Sequence, residues 1–183
     1  MEKPAKGHDS YHFKLLLLGE EAVGKTSLLI RFVEQRFSET YKQSLGADFM
    51  SKTVEFATKE GKTVIINLQC WDIAGKAKFS SFRKLYCSGV NGAFLVYDLT
   101  RRETLAKLVS WVQDIEKFSP DAVKFLIGNK NDLENQIVVF PEEGEKFGPV
   151  LGVFGILKTS AKTGEGVEDA FHSIAKIMYE RNL

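Results

Sequence analysis

The sequence lacks any apolar run close to the roughly 20 residues that a membrane-spanning helix requires. Its first residues contain no apolar signal core, and no glycine follows Met1 as a myristoylation site. Internal repeats, low-complexity tracts and interdomain linkers are also absent. These absences exclude a repeat architecture and give no evidence for a second domain. A chain of 183 residues is long enough to bury a substantial core without disulfide or metal support.

Cysteine and net charge are equally scarce. Cys70 lies in a strand-like run and Cys87 in a predicted helix. We expect two buried free thiols in a reducing cytosol rather than a disulfide, a metal pair or a nucleophile. The formal net charge of +1 gives no electrostatic case for binding nucleic acid or an acidic membrane surface. No nucleic-acid partner is therefore predicted, and a cytoplasmic location is expected.

The clearest motif is a phosphate-binding loop, because residues 19–26 (GEEAVGKT) fit the pattern G-x-x-x-x-G-K-[ST]. The apolar run LLLL before it predicts a buried strand, and the apolar residues after it recur at helical spacing. Glycines let successive N–H groups point inward, and the N-terminus of the following helix favours an anion. We predict that Lys25 reaches the terminal phosphates and that the Thr26 hydroxyl holds Mg²⁺. The residues expected around the phosphates are Glu21, Ala22, Val23, Gly24, Lys25, Thr26 and Ser27.

Strands and helices alternate from Phe13 onward, which predicts an α/β fold with a mainly parallel sheet between helices. Strands are predicted at 48–58, 63–72, 93–99, 123–128 and 156–159, the first two forming an antiparallel hairpin. We expect residues 1–12 to form a flexible arm and 13–183 to form the domain.

Two helical segments carry more specific predictions. A capping box at 100–103 (TRRE) is expected to open a helix through about Phe118, with Trp111 in the core. Pro141 could begin a helix that Gly144, Gly148 and Pro149 keep short.

Three further polar segments follow predicted strands, at the sheet edge where α/β proteins bind ligands. They are Asp72 with Gly75, residues 129–132 (NKND) and residues 160–162 (SAK). A carboxylate such as Asp132 can accept hydrogen bonds from both N1–H and N2–H of guanine, whereas adenine offers no such donor pair. The pattern therefore favours guanine over adenine and disfavours an ATP-dependent phosphotransferase.

With these four motifs in order, the chain resembles a Ras-superfamily small GTPase over nearly its whole length. It is most similar to the Rab family in LGADF at 45–49, WDIAG at 71–75 and YCSG at 86–89. The resemblance implies a P-loop G-domain with a six-stranded, mostly parallel sheet, one antiparallel edge strand and about five helices on both faces. It also implies a Rab-like molecular switch in vesicle trafficking that binds GTP or GDP with Mg²⁺.

The resemblance assigns roles around the guanine base. Asn129 would brace the base loop, the Lys130 stem would lie over the purine, and the Ala161 amide would donate to guanine O6. Phe37 would stack against the base. The base-contacting residues are accordingly Asn129, Lys130, Asp132, Ser160, Ala161 and Lys162, together with Phe37.

The resemblance also assigns the phosphate and metal contacts. Tyr41 would close over the phosphates, and Gly75 would stand near the terminal one. Thr26 and Ser44 would donate hydroxyl ligands to Mg²⁺, while Asp72 would hold the ion through water. The family normally has threonine at the position of Ser44, so we predict a more weakly ordered first switch loop.

Three departures concern hydrolysis and nucleotide exchange. Lys76 replaces the glutamine that usually orients the attacking water, and an ammonium can donate but cannot accept a hydrogen bond. Ala77 replaces a glutamate implicated in nucleotide exchange. Glu21 stands where the family has a small residue and would crowd the terminal phosphate. With Lys25, Lys76 and Gly75 as the catalytic set, we predict slow or impaired hydrolysis. Glu21 and Lys76 either pair across the site or both point to solvent.

The predicted partners are effectors, exchange factors and GTPase-activating proteins, which would bind the segments from Phe37 to Ala47 and from Gly75 to Ser88. Phe49, Trp71 and Tyr86 match the aromatic triad of Rab proteins, although ordinary packing explains them equally well. The alternatives are a non-hydrolysing GTP-binding scaffold or one G-domain of a longer protein. The chain carries no C-terminal cysteine for prenylation, so a place on the cytosolic face of vesicle membranes is expected only with a lipidated tail.

Overall fold

The computed structural model describes residues 9–38, 47–74 and 83–183. The strands are β1 (Asp9–Leu18), β2 (Ala47–Ala57), β3 (Thr63–Ile73), β4 (Gly92–Asp98), β5 (Val123–Asn129) and β6 (Gly155–Thr159). They form one sheet in the order β2-β3-β1-β4-β5-β6, in which only β2 and β3 pair antiparallel. The predicted mostly parallel sheet with one antiparallel edge strand is therefore confirmed.

Helices cover both faces of this sheet. The helices are α1 (Lys25–Glu34), α2 (Arg83–Cys87), α3 (Arg102–Ala106), α4 (Leu108–Phe118), α5 (Pro141–Leu151) and α6 (Val167–Arg181). Leu15 and Leu17 pack in one core with α1 and α6, while Leu16 and Leu18 pack in a second core with α3, α4 and α5. The run LLLL is continuously apolar because a central parallel strand is buried on both faces.

The first strand begins at Asp9. Residues 9–12 therefore belong to β1, which corrects the prediction that they are part of a flexible arm. Their backbone continues the parallel pairing with β3, from Asp9 opposite Val64 to His12 opposite Asn67. Tyr11 also packs edge-on against Tyr179 of α6, with ring centroids 5.1 Å apart. Sheet pairing and this aromatic contact extend the strand beyond the apolar run that predicted it.

The predicted capping box at Thr100 is wrong. The helix begins with Arg101 as its N-cap and is interrupted at Lys107. The Thr100 hydroxyl instead donates to Asp98 Oδ1 at 2.7 Å. A capping hydroxyl would accept from the Glu103 N–H, whereas the Thr100 hydroxyl is directed at the Asp98 carboxylate and donates to it. Trp111 is 3% exposed, which confirms its place in the core.

The helix after Pro141 is longer than the sequence suggested. It runs from Pro141 to Leu151 and contains Pro149 in its last turn. At Gly148 a Cβ would stand 2.9 Å from Ile156 Cδ1, so the glycine permits close packing of α5 on β6. Tertiary packing here outweighs the low helix propensity of glycine.

Both cysteines are buried and neither forms a disulfide, as predicted. Burial raises the pKa of the Cys70 thiol to about 12, which makes it a poor nucleophile at neutral pH. Within the part of the chain that the structure describes, no helix combines the length and apolarity needed to cross a membrane.

Candidate functional site

The phosphate loop joins β1 to α1, and Lys25 is the first residue of that helix. Its side chain is 7% exposed, and its Nζ donates to the carbonyl oxygens of Gly19 at 2.9 Å and Glu20 at 3.0 Å. Burial lowers the pKa of Lys25, and the nearby Asp72 carboxylate opposes this shift. The ammonium is thus held against the phosphate loop, and both are predicted to bind the phosphates of the nucleotide.

The remaining loop residues differ in accessibility. Ala22 is exposed with a left-handed φ of 62°, whereas the Val23 side chain is fully buried in the core. Glu21 and Ser27 are half-buried, the latter in the first turn of α1. The loop therefore anchors through Val23 and presents its backbone around Ala22.

The metal-binding prediction can be tested on Thr26 and Asp72. The Thr26 hydroxyl donates to a carboxylate oxygen of Asp72, which is fully buried at the end of β3. A hydroxyl and a carboxylate in contact supply the hard oxygen donors that Mg²⁺ prefers, so the pair fits the ion. Bound Mg²⁺ would neutralise phosphate charge. The third predicted ligand, Ser44, lies outside the described residues.

Asn129 connects three segments of the site. Its Nδ2 donates to the Val23 carbonyl at 2.9 Å, and its Oδ1 accepts from Thr159 Oγ1 and from the Ala161 N–H, both at 3.2 Å. The residue is 1% exposed. A Cβ at Gly24 would stand 2.3 Å from this Nδ2, so the second loop glycine is required for the approach of Asn129. The predicted base loop and phosphate loop are therefore joined by one side chain.

Asp132 and the segment 160–162 are held by their own contacts. Ser160 Oγ donates to Asp132 Oδ1 at 2.6 Å and accepts from the Thr163 N–H at 3.0 Å. The Ala161 N–H, predicted to reach guanine O6, is bound to Asn129 in this structure and would have to share or exchange that partner. The carboxylate of Asp132 is partly exposed and keeps acceptor capacity for a base.

Arg31 of α1 is a residue that the sequence analysis missed. Its guanidinium donates to the carbonyl oxygens of Ala161 at 2.8 Å and Lys162 at 2.5 Å. It ties the helix that follows the phosphate loop to the segment predicted to read O6. Since these residues are about 130 positions apart, no local pattern indicates the contact.

Lys130 has a left-handed φ of 71°, and its Nζ lies 2.7 Å from Asp98 Oδ2. The predicted position of its stem over the purine stays a prediction. Burial alone would raise the pKa of Asp98, but hydrogen bonds from Lys130, Thr100 and Arg101 hold it below its ordinary value. Asp98 was also missed, although it ends a strand at the ligand edge as Asp72 does.

Phe37 is half-buried and packs against the core formed with α1 and α6. Its stacking on a base stays a prediction. The other predicted site residues, Tyr41, Gly75 and Lys76, lie outside the described residues, as does most of each predicted switch segment. The suggested pair of Glu21 and Lys76 is therefore left open.

The comparison with protein families decides the identity. A model described as Ras family matches residues 14–180. The chain belongs to the Ras family. As a Ras-family protein it is a small GTP-binding switch with GTPase activity, whose ligands are GTP or GDP with Mg²⁺. Regulators and effectors are expected of such a switch in general.

The aromatic residues that match the Rab triad lie in a row: Phe49 is in β2, Trp71 in β3 and Tyr86 in α2. The ring centroids of Phe49 and Trp71 are 5.1 Å apart, and those of Trp71 and Tyr86 are 6.3 Å apart. Phe49 is 52% exposed, while Trp71 and Tyr86 are half-buried. The row thus combines mutual packing with an accessible edge.

Proposed function

We propose that this Ras-family protein is a Rab-like switch in vesicle trafficking that binds GTP firmly and hydrolyses it slowly. Firm binding is proposed from the contacts of Asn129, because this one buried side chain joins the phosphate loop to both base-recognition segments. A joined site is preorganised and loses less conformational entropy when nucleotide binds.

Slow hydrolysis is proposed from Lys76. Its ammonium can neutralise charge on the terminal phosphate but cannot accept a hydrogen bond from the attacking water. The proposal depends on the residue type alone, since Lys76 lies outside the described residues.

Single-turnover hydrolysis of GTP tests this part of the proposal. Lys76→Gln should accelerate the chemical step on the order of tenfold, about 1.4 kcal/mol in activation free energy. Lys59→Gln is the control, because Lys59 is an exposed lysine in the turn between β2 and β3. Fast wild-type hydrolysis that Lys76→Gln leaves unchanged would remove the case for impairment.

The Rab-like part is proposed from the row of Phe49, Trp71 and Tyr86, which would display the nucleotide state to effectors. Trp71 offers a direct readout. The other tryptophan, Trp111, is buried in α4, so Trp111→Phe leaves Trp71 as the single tryptophan. Its emission should differ between the GDP form and a form with a non-hydrolysable GTP analogue. Identical spectra would argue against display of the nucleotide state by this surface.

A non-hydrolysing scaffold is the second candidate, favoured by the same Lys76. It predicts no turnover in wild type and none in Lys76→Gln, with nucleotide still bound.

The proposed partner-binding segments are 37–47 and 75–88. A place on the cytosolic face of vesicle membranes is proposed only for a chain that carries a lipidated tail.

A further inference from the structure

Asp98 forms a charged centre at the carboxyl end of β4 that none of the assigned roles uses. Its side chain is 1% exposed. Oδ1 accepts from the Thr100 N–H at 2.9 Å and from the Thr100 hydroxyl at 2.7 Å. Oδ2 lies 3.0 Å from Arg101 Nε and 2.7 Å from Lys130 Nζ. One buried carboxylate therefore holds two cations in fixed positions.

Those two cations link Asp98 to different loops of the site. Lys130 is in the predicted base loop. Arg101 also donates from Nη2 of the same guanidinium to the Glu21 carbonyl, at 3.0 Å, in the phosphate loop. A second connection between the two loops therefore runs from Lys130 through Asp98 and Arg101 to Glu21, beside the direct one made by Asn129.

The contact with Glu21 has a consequence for the next peptide N–H. In a trans peptide the C=O of one residue and the N–H of the next point in opposite directions. Arg101 holds the Glu21 carbonyl on its own side, so the Ala22 N–H points away from Arg101. Asn129 likewise holds the Val23 carbonyl by a hydrogen bond and thereby orients the Gly24 N–H. Two carbonyls are thus held on the outside of a loop whose N–H groups are predicted to bind phosphate.

A planar guanidinium suits this bridging position better than an ammonium. Its donors are arranged as a rigid fork, so Nε can bind Asp98 while Nη2 binds the Glu21 carbonyl. A lysine at this position would retain the charge but would present its donors from a single nitrogen. The charge alone therefore does not reproduce the spacing of the two donors.

We propose that Asp98 and Arg101 are positioning residues for the nucleotide: Arg101 orients the Glu21–Ala22 peptide toward the phosphates, and Asp98 holds both Arg101 and Lys130. This inference rests on the proposed assignment of the phosphate loop and the base loop. It concerns how the two loops are kept in register and assigns Asp98 and Arg101 no contact with the nucleotide itself.

The test compares GDP with GMP, which lacks the second phosphate. Arg101→Met should raise the Kd for GDP on the order of tenfold and change that for GMP less, so that the preference for GDP over GMP falls. Arg101→Lys should restore little of this preference, because an ammonium lacks the spacing between Nε and Nη2 with which the guanidinium serves its two acceptors. A merely structural role would weaken the two ligands alike.

Arg102→Met is the matched control. Arg102 is the next residue and also binds a carboxylate and a carbonyl, Glu143 at 2.8 Å and Val138 at 2.7 Å. These partners lie outside the assigned nucleotide site. The control should leave both Kd values unchanged. If Arg101→Met moves the GDP to GMP ratio no more than Arg102→Met does, the inference is overturned.

A double-mutant cycle tests the connection through Asp98. Asp98→Asn retains the acceptor for Thr100 and removes the charge that holds Arg101. Its effect on GDP binding should be non-additive with that of Arg101→Met, and additive effects would contradict a shared pathway. Asp132→Asn in the same assay distinguishes a wrong assignment of the nucleotide site from a failure of the positioning inference alone. If it also leaves GDP binding unchanged, the assigned site is wrong; if it alone weakens GDP, only the positioning inference fails.

Discussion

Asn129 offers the most stringent test of the site. Three hydrogen bonds depend on its side chain, which is 1% exposed. At about 1 kcal/mol net for each, Asn129→Ala should lower the free energy of unfolding by about 3 kcal/mol. If the loops must be joined for binding, up to the same free energy is lost from GDP binding, about a hundredfold in Kd.

Asn129→Asp separates shape from hydrogen bonding. Aspartate has nearly the same size and retains acceptors for Thr159 and Ala161, but it places an oxygen against the Val23 carbonyl where an N–H donated. It should therefore weaken GDP binding although it fills the same volume. Both variants are measured by urea denaturation at one fixed GDP concentration, with Kd determined separately because bound ligand adds to the apparent stability.

Asn182→Ala is the control for these measurements. Asn182 also donates from Nδ2 to a backbone carbonyl at 2.9 Å, that of Met178, but at the exposed end of α6. Its loss should change the free energy of unfolding by no more than about 0.5 kcal/mol. If Asn129→Asp binds GDP as tightly as wild type, the reasoning that one side chain joins the loops is refuted.

Three further results are expected. Ser44→Thr should tighten Mg²⁺-GTP binding, because the added methyl restricts the hydroxyl's rotamers; an unchanged Mg²⁺ dependence would count against this. The pKa of Asp98 is lowered on folding, so its stabilisation is present above the ordinary value of 3.8 and is lost as the pH falls through the lower folded value. The stabilities of wild type and Asp98→Asn should therefore converge in acid, and a constant difference would contradict the assignment. Glu21→Ala and Lys76→Ala should affect GTP affinity non-additively if the two side chains pair and additively if both point to solvent.

The elements that local patterns determine were predictable. The run LLLL indicated a strand buried on both faces, and the motif that follows it placed a loop and a helix. Residues 129–132 and 160–162 were located because parallel strands bring their carboxyl ends to one edge of a sheet. The motifs themselves depended on neighbours within a few positions of the chain, and their place at one edge followed from the parallel order of the strands.

The contacts between loops were not predictable in this way. Arg101 and Glu21 are 80 positions apart, and their contact depends on where β4 ends relative to the phosphate loop. The error at Thr100 has a more local cause. Its hydroxyl matched a capping pattern, but it donates to Asp98 two positions earlier, and such an aspartate is itself a known turn signal. At Gly148, packing against β6 reversed the expectation drawn from propensity.

The central claim is that this Ras-family site binds guanine nucleotides through Asp132. The most direct measurement is the Kd for GDP, ADP and xanthosine diphosphate, in wild type and in Asp132→Asn. Wild type should prefer GDP, because its carboxylate accepts from N1–H and N2–H. Xanthine carries a carbonyl in place of that amino group, so the amide in Asp132→Asn should shift the preference toward xanthosine diphosphate. Tight ADP binding by wild type, or an unchanged preference in the variant, would contradict the account.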